Sequence, residues 1–217
     1  MNKHVPAVQK MQNVWAIILI IWCIYRTKFY LPEWIDELLI KPAVFILPVY
    51  YYISHIEKKP ILSALWIKTT QIWSDSKVGL SIGAFFWLMI VFTNFIRLGN
   101  LSFLFDLTLT RIGYLLLITL VTATSEEILS CGFVVKRLYE DSSSQLQAAF
   151  LGGILFTIIH IPIVMTNYKL TGSFILVYLL TQFFISLVIN LIFLDRKSLL
   201  PSIQIHALYN LALLLYI

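Results

Sequence analysis

The sequence predicts an all-α, polytopic bundle of about seven transmembrane helices, with one interfacial amphipathic helix. Of the 217 residues, 59% are hydrophobic and only 12% are charged, and the mean hydropathy is +0.86. A soluble domain is nearer half apolar and a quarter charged, so this chain has too few polar side chains to cover a water-facing surface. Seven crossings of about 20 residues use roughly 140 residues and leave short loops. We therefore expect a single membrane domain over residues 1–217.

Apolar runs bounded by charged residues mark the expected spans, at 11–25, 38–55, 79–96, 112–135, 146–168, 174–194 and 198–217. The first is short for a membrane span, and the second contains Pro42 and Pro48. Between the second and third spans, apolar and aromatic residues recur at helical spacing, which is typical of an interfacial amphipathic helix. The residues that form this pattern are Leu62, Leu65, Trp66, Thr69 and Trp73.

The distribution of charge predicts a lipid bilayer as the partner of this chain. The 16 Lys and Arg and 11 Asp and Glu give a net charge of +5, spread thinly rather than gathered in one basic block. This pattern favours anionic lipid headgroups over nucleic acid. The seven-span arrangement puts ten of the 16 basic residues on the side of the N-terminus, and six, including Lys41, on the other. The excess predicts a cytoplasmic N-terminus.

Ionisable side chains deep in apolar spans are costly and mark candidate functional sites. The fourth span contains the adjacent pair Glu126 and Glu127, the fifth contains His160, and the seventh contains His206 with Asn210 one helical turn later. The loop between spans four and five and the loop between spans six and seven lie at the same membrane face. At 1.5 Å per residue, Glu126 lies about 16 Å from that face, His160 about 22 Å and His206 about 14 Å. The depths of Glu126 and His206 fall in the middle third of a core about 30 Å thick, and that of His160 falls about 2 Å beyond it, within the tilt of a helix and an error of several residues in the boundary of its span.

An acid and two imidazoles at one depth are suited to activating a water molecule. A carboxylate hydrogen-bonded to an imidazole can take a proton from water, and a second His with a nearby Asn can donate to an oxyanion. One Glu and two His also make a catalytic zinc site with an open position, although the HExxH spacing is absent. The residue types leave both arrangements open, and either one produces an activated water.

Three short motifs, in order, carry a resemblance to a known family. The segments are Glu126-Glu127-Ile-Leu-Ser-Cys131, Phe156-Thr-Ile-Ile-His160 and His206-Ala-Leu-Tyr-Asn210. They resemble the motifs EExxxR, FxxxH and HxxxN/D of the CAAX protease and bacteriocin-processing (CPBP) family of intramembrane endopeptidases, also called the Abi family. The resemblance covers residues 112–217, the expected catalytic core, and leaves the spans in 1–111 without an assigned role.

The resemblance implies a role for each matched residue. Glu126 and His160 would activate the attacking water, His206 and Asn210 would stabilise the oxyanion, and Phe156 would pack within the second motif. Glu127 is the second carboxylate of the first motif and has a supporting role.

Family members have been described both as metal-dependent and as metal-free peptidases. We expect the metal-free form here, with no cofactor; a divalent metal such as zinc would be held by Glu126, His160 and His206. The implied substrate is a hydrophobic or prenylated peptide or protein. The eukaryotic branch trims CAAX proteins, and bacterial members are linked to bacteriocin maturation, self-immunity or peptide signalling. The small size of the chain favours a bacterial plasma-membrane protein, and nothing in the sequence indicates an oligomeric state.

One position departs from the family pattern. Cys131 stands where the family has Arg, so Glu127 lacks the cation that would lie one turn along its own helix. An unpaired carboxylate in a low dielectric tends to take up a proton. We therefore expect Glu127 to be neutral unless Lys136 or Arg137 reaches back to it. The same departure favours a second hypothesis, a catalytically silent immunity or scaffold protein that binds a hydrophobic peptide.

Other interpretations of the same residues remain open at this level. A small transporter would use the Glu and His residues as a proton relay. The glutamate pair would also suit a solvated helix end at the membrane surface. His160 would suit a core histidine that bonds a carbonyl freed near Pro162, and His206 with Asn210 would suit polar contacts between helices.

Overall fold

The computed structural model of the chain describes residues 6–29, 31–99, 108–166 and 171–216, and every regular element in these ranges is helical. Seven helices are long and apolar enough to cross a membrane, which confirms the expected all-α polytopic bundle. They are α1 (Ala7–Lys28), α2 (Glu33–Glu57), α3 (Ile72–Arg97), α4 (Leu109–Ser142), α5 (Gln145–Thr166), α6 (Ser173–Arg196) and α7 (Leu199–Tyr216).

Helix α2 is longer than the expected span, and this changes the place of Lys41. The helix begins at Glu33, so Lys41 lies about 12 Å along it rather than in a loop. Its exposed fraction is only 3%. The counting of Lys41 with the charges on the side opposite the N-terminus is therefore wrong. Pro42 lies two residues after a π-helical turn at Asp36–Ile40. The carbonyl four residues before Pro42, which a proline ring meets in a regular α-helix, belongs to this wider turn.

The expected interfacial helix over residues 62–73 is wrong as a single element. The structure has only a short helix, Ile61–Ala64, followed by turns up to the start of α3. Trp66 adopts a left-handed conformation with φ of 55°, and its carbonyl accepts a hydrogen bond from the Leu199 amide at 3.1 Å. Leu65 is buried in the core, and the Trp66 ring packs 5.0 Å from that of Phe193. These contacts pack Leu65 and Trp66 against the bundle, whereas Leu62 and Trp73 stay exposed.

Helix α4 is joined to the end of α2 by a buried ion pair. The Arg137 guanidinium donates two hydrogen bonds of 2.7 Å to the carboxylate of Glu57. It also donates to the carbonyls of Gly132 and Phe133, at 3.1 and 2.9 Å. These carbonyls belong to the π-helical segment Ile128–Val135. Arg137 therefore satisfies carbonyls near the irregular part of α4 while it ties that helix to α2.

Helices α4, α5 and α6 pack closely around Gly152. A Cβ atom at this position would lie 2.4 Å from Val135 Cγ2 and 3.0 Å from Asn190 Nδ2. The Asn190 amide donates to the Ala149 carbonyl at 3.0 Å, and the Cys131 thiol donates to Asn190 Oδ1 at 3.3 Å. The missing side chain of Gly152 thus permits polar contacts among three helices, as in other membrane bundles.

Candidate active site

The two adjacent glutamates lie at the end of the regular part of α4, immediately before its π-helical segment. Glu126 is 6% exposed and Glu127 is 1% exposed, so the interpretation as a solvated helix end is wrong. Successive residues of an α-helix point about 100° apart. The two carboxylates accordingly have different partners, and only Glu126 lines the cavity of the bundle.

His206 on α7 lies between the two carboxylates. Its Nδ1 is 2.7 Å from Glu127 Oε1, and its Nε2 is 3.4 Å from Glu126 Oε2. The contact joins α4 to α7, as the interpretation of His206 as an interhelical polar contact expects. The same contact directs the second ring nitrogen of His206 to the carboxylate in the cavity.

His160 lies at a break in α5, between the helical segments Gln145–Ile159 and Ile161–Thr166. Its Nδ1 lies 2.8 Å from the carbonyl oxygen of Phe156. A carbonyl can only accept, so Nδ1 carries a proton and Nε2 of the neutral ring is an acceptor. This Nε2 lies 3.8 Å from Glu126 Oε2. His160 thus makes the backbone contact of a core histidine and also presents a basic nitrogen to Glu126.

The ring of Phe156 packs against both imidazoles of the site. Its centroid lies 4.5 Å from that of His160 and 5.7 Å from that of His206. A large apolar ring in this place restricts the rotation of both imidazoles and keeps their surroundings apolar.

A cation from α2 enters the site, and the sequence reasoning missed it. The Lys41 ammonium lies 2.9 Å from Glu126 Oε1 and forms a second ion pair with Glu37. Thr122 donates a hydrogen bond of 2.7 Å to the other end of this network, at Glu37 Oε2. One signal for this was present in the sequence, because Glu37 and Lys41 have the i, i+4 spacing of a helical ion pair.

Neither Lys136 nor Arg137 reaches back to Glu127 with its charged group. The Lys136 ammonium donates to the carbonyls of Ser63 and Ala64, at 2.8 and 2.9 Å, and Arg137 is paired with Glu57. The partner of Glu127 is His206 instead. Glu127 Oε2 is buried and has no hydrogen-bond partner among the described residues. An Arg at position 131 would lie one turn away from this oxygen.

The site borders a cavity of about 260 Å³. The cavity extends from Glu33, at the start of α2, to Glu126 and His206 inside the bundle, and Asn210 also lines it. The remaining lining residues are Glu37, Lys41, Ile118, Thr119, Thr122, His160, Ile163, Tyr178, Gln182, Leu213 and Leu214. The cavity thus brings all four residues with an implied catalytic role to one space.

The geometry of Glu126, His160 and His206 does not provide a metal site. In the described ranges, no group of three or more His, Cys, Asp or Glu side chains is arranged to hold a metal ion. Glu126 Oε1 is already paired with the Lys41 ammonium, and a second cation beside it would be repelled. The arrangement present does not fit a zinc site of Glu126, His160 and His206.

Seven apolar helices that surround a buried acid, two imidazoles and a cavity define an integral multi-pass membrane protein with a candidate hydrolytic site. Residues 107–212 match the model of the Rce1-like family, described as type II CAAX prenyl endopeptidase Rce1-like. The match confirms the resemblance to the CPBP family and supports CAAX-type intramembrane endopeptidase activity. It includes Glu126, His160, His206 and Asn210, and it excludes Lys41. No curated protein matches the chain.

Proposed function

We propose that the protein hydrolyses a peptide bond inside the membrane, with a water molecule held by Glu126 and His160. The observation that carries this proposal is that Glu126 Oε2 faces two imidazole nitrogens, of His206 at 3.4 Å and of His160 at 3.8 Å, on the wall of one cavity.

The pair of Glu126 and His160 is suited to the activation of water. Glu126 Oε2 and His160 Nε2 are both acceptors, and their separation of 3.8 Å exceeds a direct hydrogen bond. A water that donates to both atoms satisfies them together. As its oxygen attacks the carbonyl carbon of the substrate, one proton passes to this pair, which returns it to the leaving amine.

His206 and Asn210 are suited to stabilising the oxyanion. Both line the cavity, and they are one helical turn apart on α7. With Nδ1 of His206 donating to Glu127, Nε2 can also donate only if the ring carries both protons. In that form, Nδ1 donates to Glu127 Oε1 at 2.7 Å and Nε2 faces Glu126 Oε2 at 3.4 Å. Asn210 adds an amide donor to the same space, and two such donors stabilise a developing negative charge.

The proposed substrate is a hydrophobic or prenylated peptide that enters from the lipid. Its prenylated form rests on the family description alone, which names a CAAX prenyl endopeptidase. We include in this proposal a bacterial plasma-membrane location, with the N-terminus in the cytoplasm, and a role in peptide processing or self-immunity.

The test is cleavage of a prenylated CAAX-type peptide by the full chain reconstituted in liposomes, with products identified by mass. We expect Glu126→Gln to lower the turnover by about 10²- to 10⁴-fold, because it removes the general base. The matched control is Glu140→Gln, since this carboxylate is half-exposed and lies outside the cavity. Equal turnover of wild type and Glu126→Gln would refute the proposal. A chelator is expected to leave the wild-type rate unchanged, and a loss of activity would indicate a metal mechanism.

A second candidate function is a catalytically silent protein that binds the same class of peptide. It is favoured by Cys131, which leaves Glu127 Oε2 without a cation. In the same liposomes it predicts saturable peptide binding in wild type and Glu126→Gln alike, with no product from either. Proton-coupled solute uptake driven by a pH gradient would instead favour the transporter hypothesis.

A further inference from the structure

We propose that Lys41 is a positioning residue of this site, and that the N-terminal half of the chain thereby completes the catalytic centre. The proposal rests on the function proposed above. Lys41 holds Glu126 Oε1, so that Oε2 is the oxygen that faces the two imidazoles.

The two carboxylate oxygens of Glu126 have different partners. The Lys41 ammonium is 2.9 Å from Oε1, whereas His206 and His160 are nearest to Oε2. A carboxylate without such contacts can rotate about its last carbon–carbon bond and exchange its oxygens. An ammonium on one oxygen opposes that rotation and keeps the other oxygen aimed at the reaction space.

Lys41 is itself held in place by further contacts. Its ammonium is also paired with Glu37, one turn earlier on α2, and Thr122 donates to that carboxylate from α4. Thr122 lies one turn before Glu126. The four residues therefore form a closed square, with two turns of α2 facing two turns of α4.

The square follows from the directions of the two helices. The pairs Glu37 with Thr122 and Lys41 with Glu126 have the same sequence separation of 85 residues. Equal separations are expected when two helices run in the same direction and contact each other on successive turns. The Trp22 ring of α1 lies 5.8 Å from the Lys41 ammonium and adds a cation–π contact. Three helices therefore fix the position of this one cation.

Lys41 also compensates the charge of the buried carboxylates. Glu126 and Glu127 are both buried, and position 131 of this chain supplies no cation. A buried carboxylate needs a compensating charge near it. Lys41 supplies that charge from α2, outside the matched range 107–212. A site whose cation comes from a separate helix depends on how that helix packs.

A purely structural role of Lys41 is the alternative, and the chain offers a matched control for it. Arg137 with Glu57 is a second buried ion pair between α4 and α2, and it lies away from the cavity of the site. Lys41→Met and Arg137→Met each remove one cation from an α2–α4 contact. Only the first removes a contact with Glu126.

The experiment compares kcat and KM of the full-length variants in liposomes, per folded molecule. We expect Lys41→Met to lower kcat by about 10- to 100-fold and to change KM by less than about threefold, because it misplaces the base without removing substrate contacts. Lys41→Arg should recover most of the loss, since it keeps the charge. Arg137→Met should lower the thermal midpoint and leave kcat within about threefold of wild type.

Equal kcat for Lys41→Met and wild type would overturn the positioning role, as would an equal loss of kcat in Arg137→Met. Should Lys41→Met fail to fold, Thr122→Val provides the test, because it releases Glu37 without removing a charge. We expect it to lower kcat by about two- to fivefold, and an unchanged kcat would contradict the square.

An infrared measurement separates the failure of this inference from that of the proposed function. The difference spectrum between wild type and Glu126→Gln isolates the carboxylate band of Glu126 without any turnover. We expect this band to shift in frequency when Lys41→Met is present in both proteins, because the ammonium contact is lost. An unchanged band would refute the contact even in a protein that cleaves nothing. A shifted band with no peptide cleavage in wild type would refute only the proposed function.

Discussion

The N-terminal and C-terminal helices of this bundle differ in how much of their surface the protein covers. In α1 to α3, between 17% and 28% of the most apolar stretch is buried inside the protein, whereas in α4 to α7 the range is 28% to 56%. Most of the apolar stretch of each N-terminal helix is therefore not buried by the protein, and α4 and α7 are the most buried helices. Among the described residues that line the cavity, the one lysine or arginine is Lys41, and it comes from the peripheral group α1 to α3.

This difference shows that a sparsely packed helix can have a large effect on a site through a few polar contacts. Apolar surfaces gain little by leaving lipid for one another, because both surroundings are equally apolar. The attachment of α2 to α4 accordingly depends on its buried ion pairs, Lys41 with Glu126 and Arg137 with Glu57. Four predictions test this comparison.

The largest effect is expected from a histidine of the packed half. We expect His160→Ala to lower peptide turnover by about 10²- to 10⁴-fold, because it removes the acceptor that faces Glu126 Oε2. The matched change in the peripheral half is His55→Ala, at an exposed position of α2 where the ring contacts the Tyr51 ring and carbonyl and lies outside the cavity. Turnover of His55→Ala should remain within about twofold of wild type. Similar losses in both variants would remove the distinction between the two halves.

The next largest effect is on stability, at the ion pair that ties α4 to α2. Arg137→Met leaves Glu57 without its cation, and the loss of one partner of a buried pair costs about 3 to 5 kcal/mol. Because the Glu57 side chain is 14% exposed, we expect the lower end of that range. The measurement is the free energy of unfolding in detergent. Adding Glu57→Gln should recover part of the loss. If the double variant instead loses as much free energy of unfolding as the two single variants added together, the pair is not coupled.

A smaller effect is expected from packing within the C-terminal half. Gly152→Ala introduces a methyl group 2.4 Å from Val135 Cγ2, and overpacking of this kind costs about 1 to 3 kcal/mol. The control is Gly113→Ala on α4, where no atom lies within 4 Å of the added Cβ. The control should be as stable as wild type or slightly more stable. A fully stable Gly152→Ala protein would mean that α4, α5 and α6 are not packed closely at this point.

The smallest effect is expected from the ion pair of Lys136 with Glu140. The two charged groups are 3.8 Å apart, and the Glu140 side chain is 46% exposed. Exposed pairs of this kind contribute little, so Glu140→Gln should change the free energy of unfolding by less than about 0.5 kcal/mol. A loss comparable to that of Arg137→Met would show that exposure does not distinguish the two pairs.

Much of the fold and part of the candidate site could be predicted from the sequence. The seven spans followed from apolar run length, and Glu126, His160 and His206 were placed at one depth by counting residues from a shared face. The partner of Glu127 was not predicted, because Lys136 and Arg137 are near it in sequence but are bonded elsewhere. Lys41 was counted with the charges of the membrane face, because a span that starts at residue 38 puts it only three residues from the end, whereas the helix starts five residues earlier, at Glu33.

The sequence by itself determined that this protein is a membrane bundle, and which polar residues lie deep in its spans. The first property follows from the summed free energy of placing each side chain in lipid. The second follows from the fixed rise of the helix per residue. Only the tertiary structure decided which carboxylate meets which cation. Lys41 and Glu126 are 85 residues apart, and His206 and Glu127 are 79 apart. Such pairs depend on the direction, rotation and packing of whole helices, which no local pattern specifies.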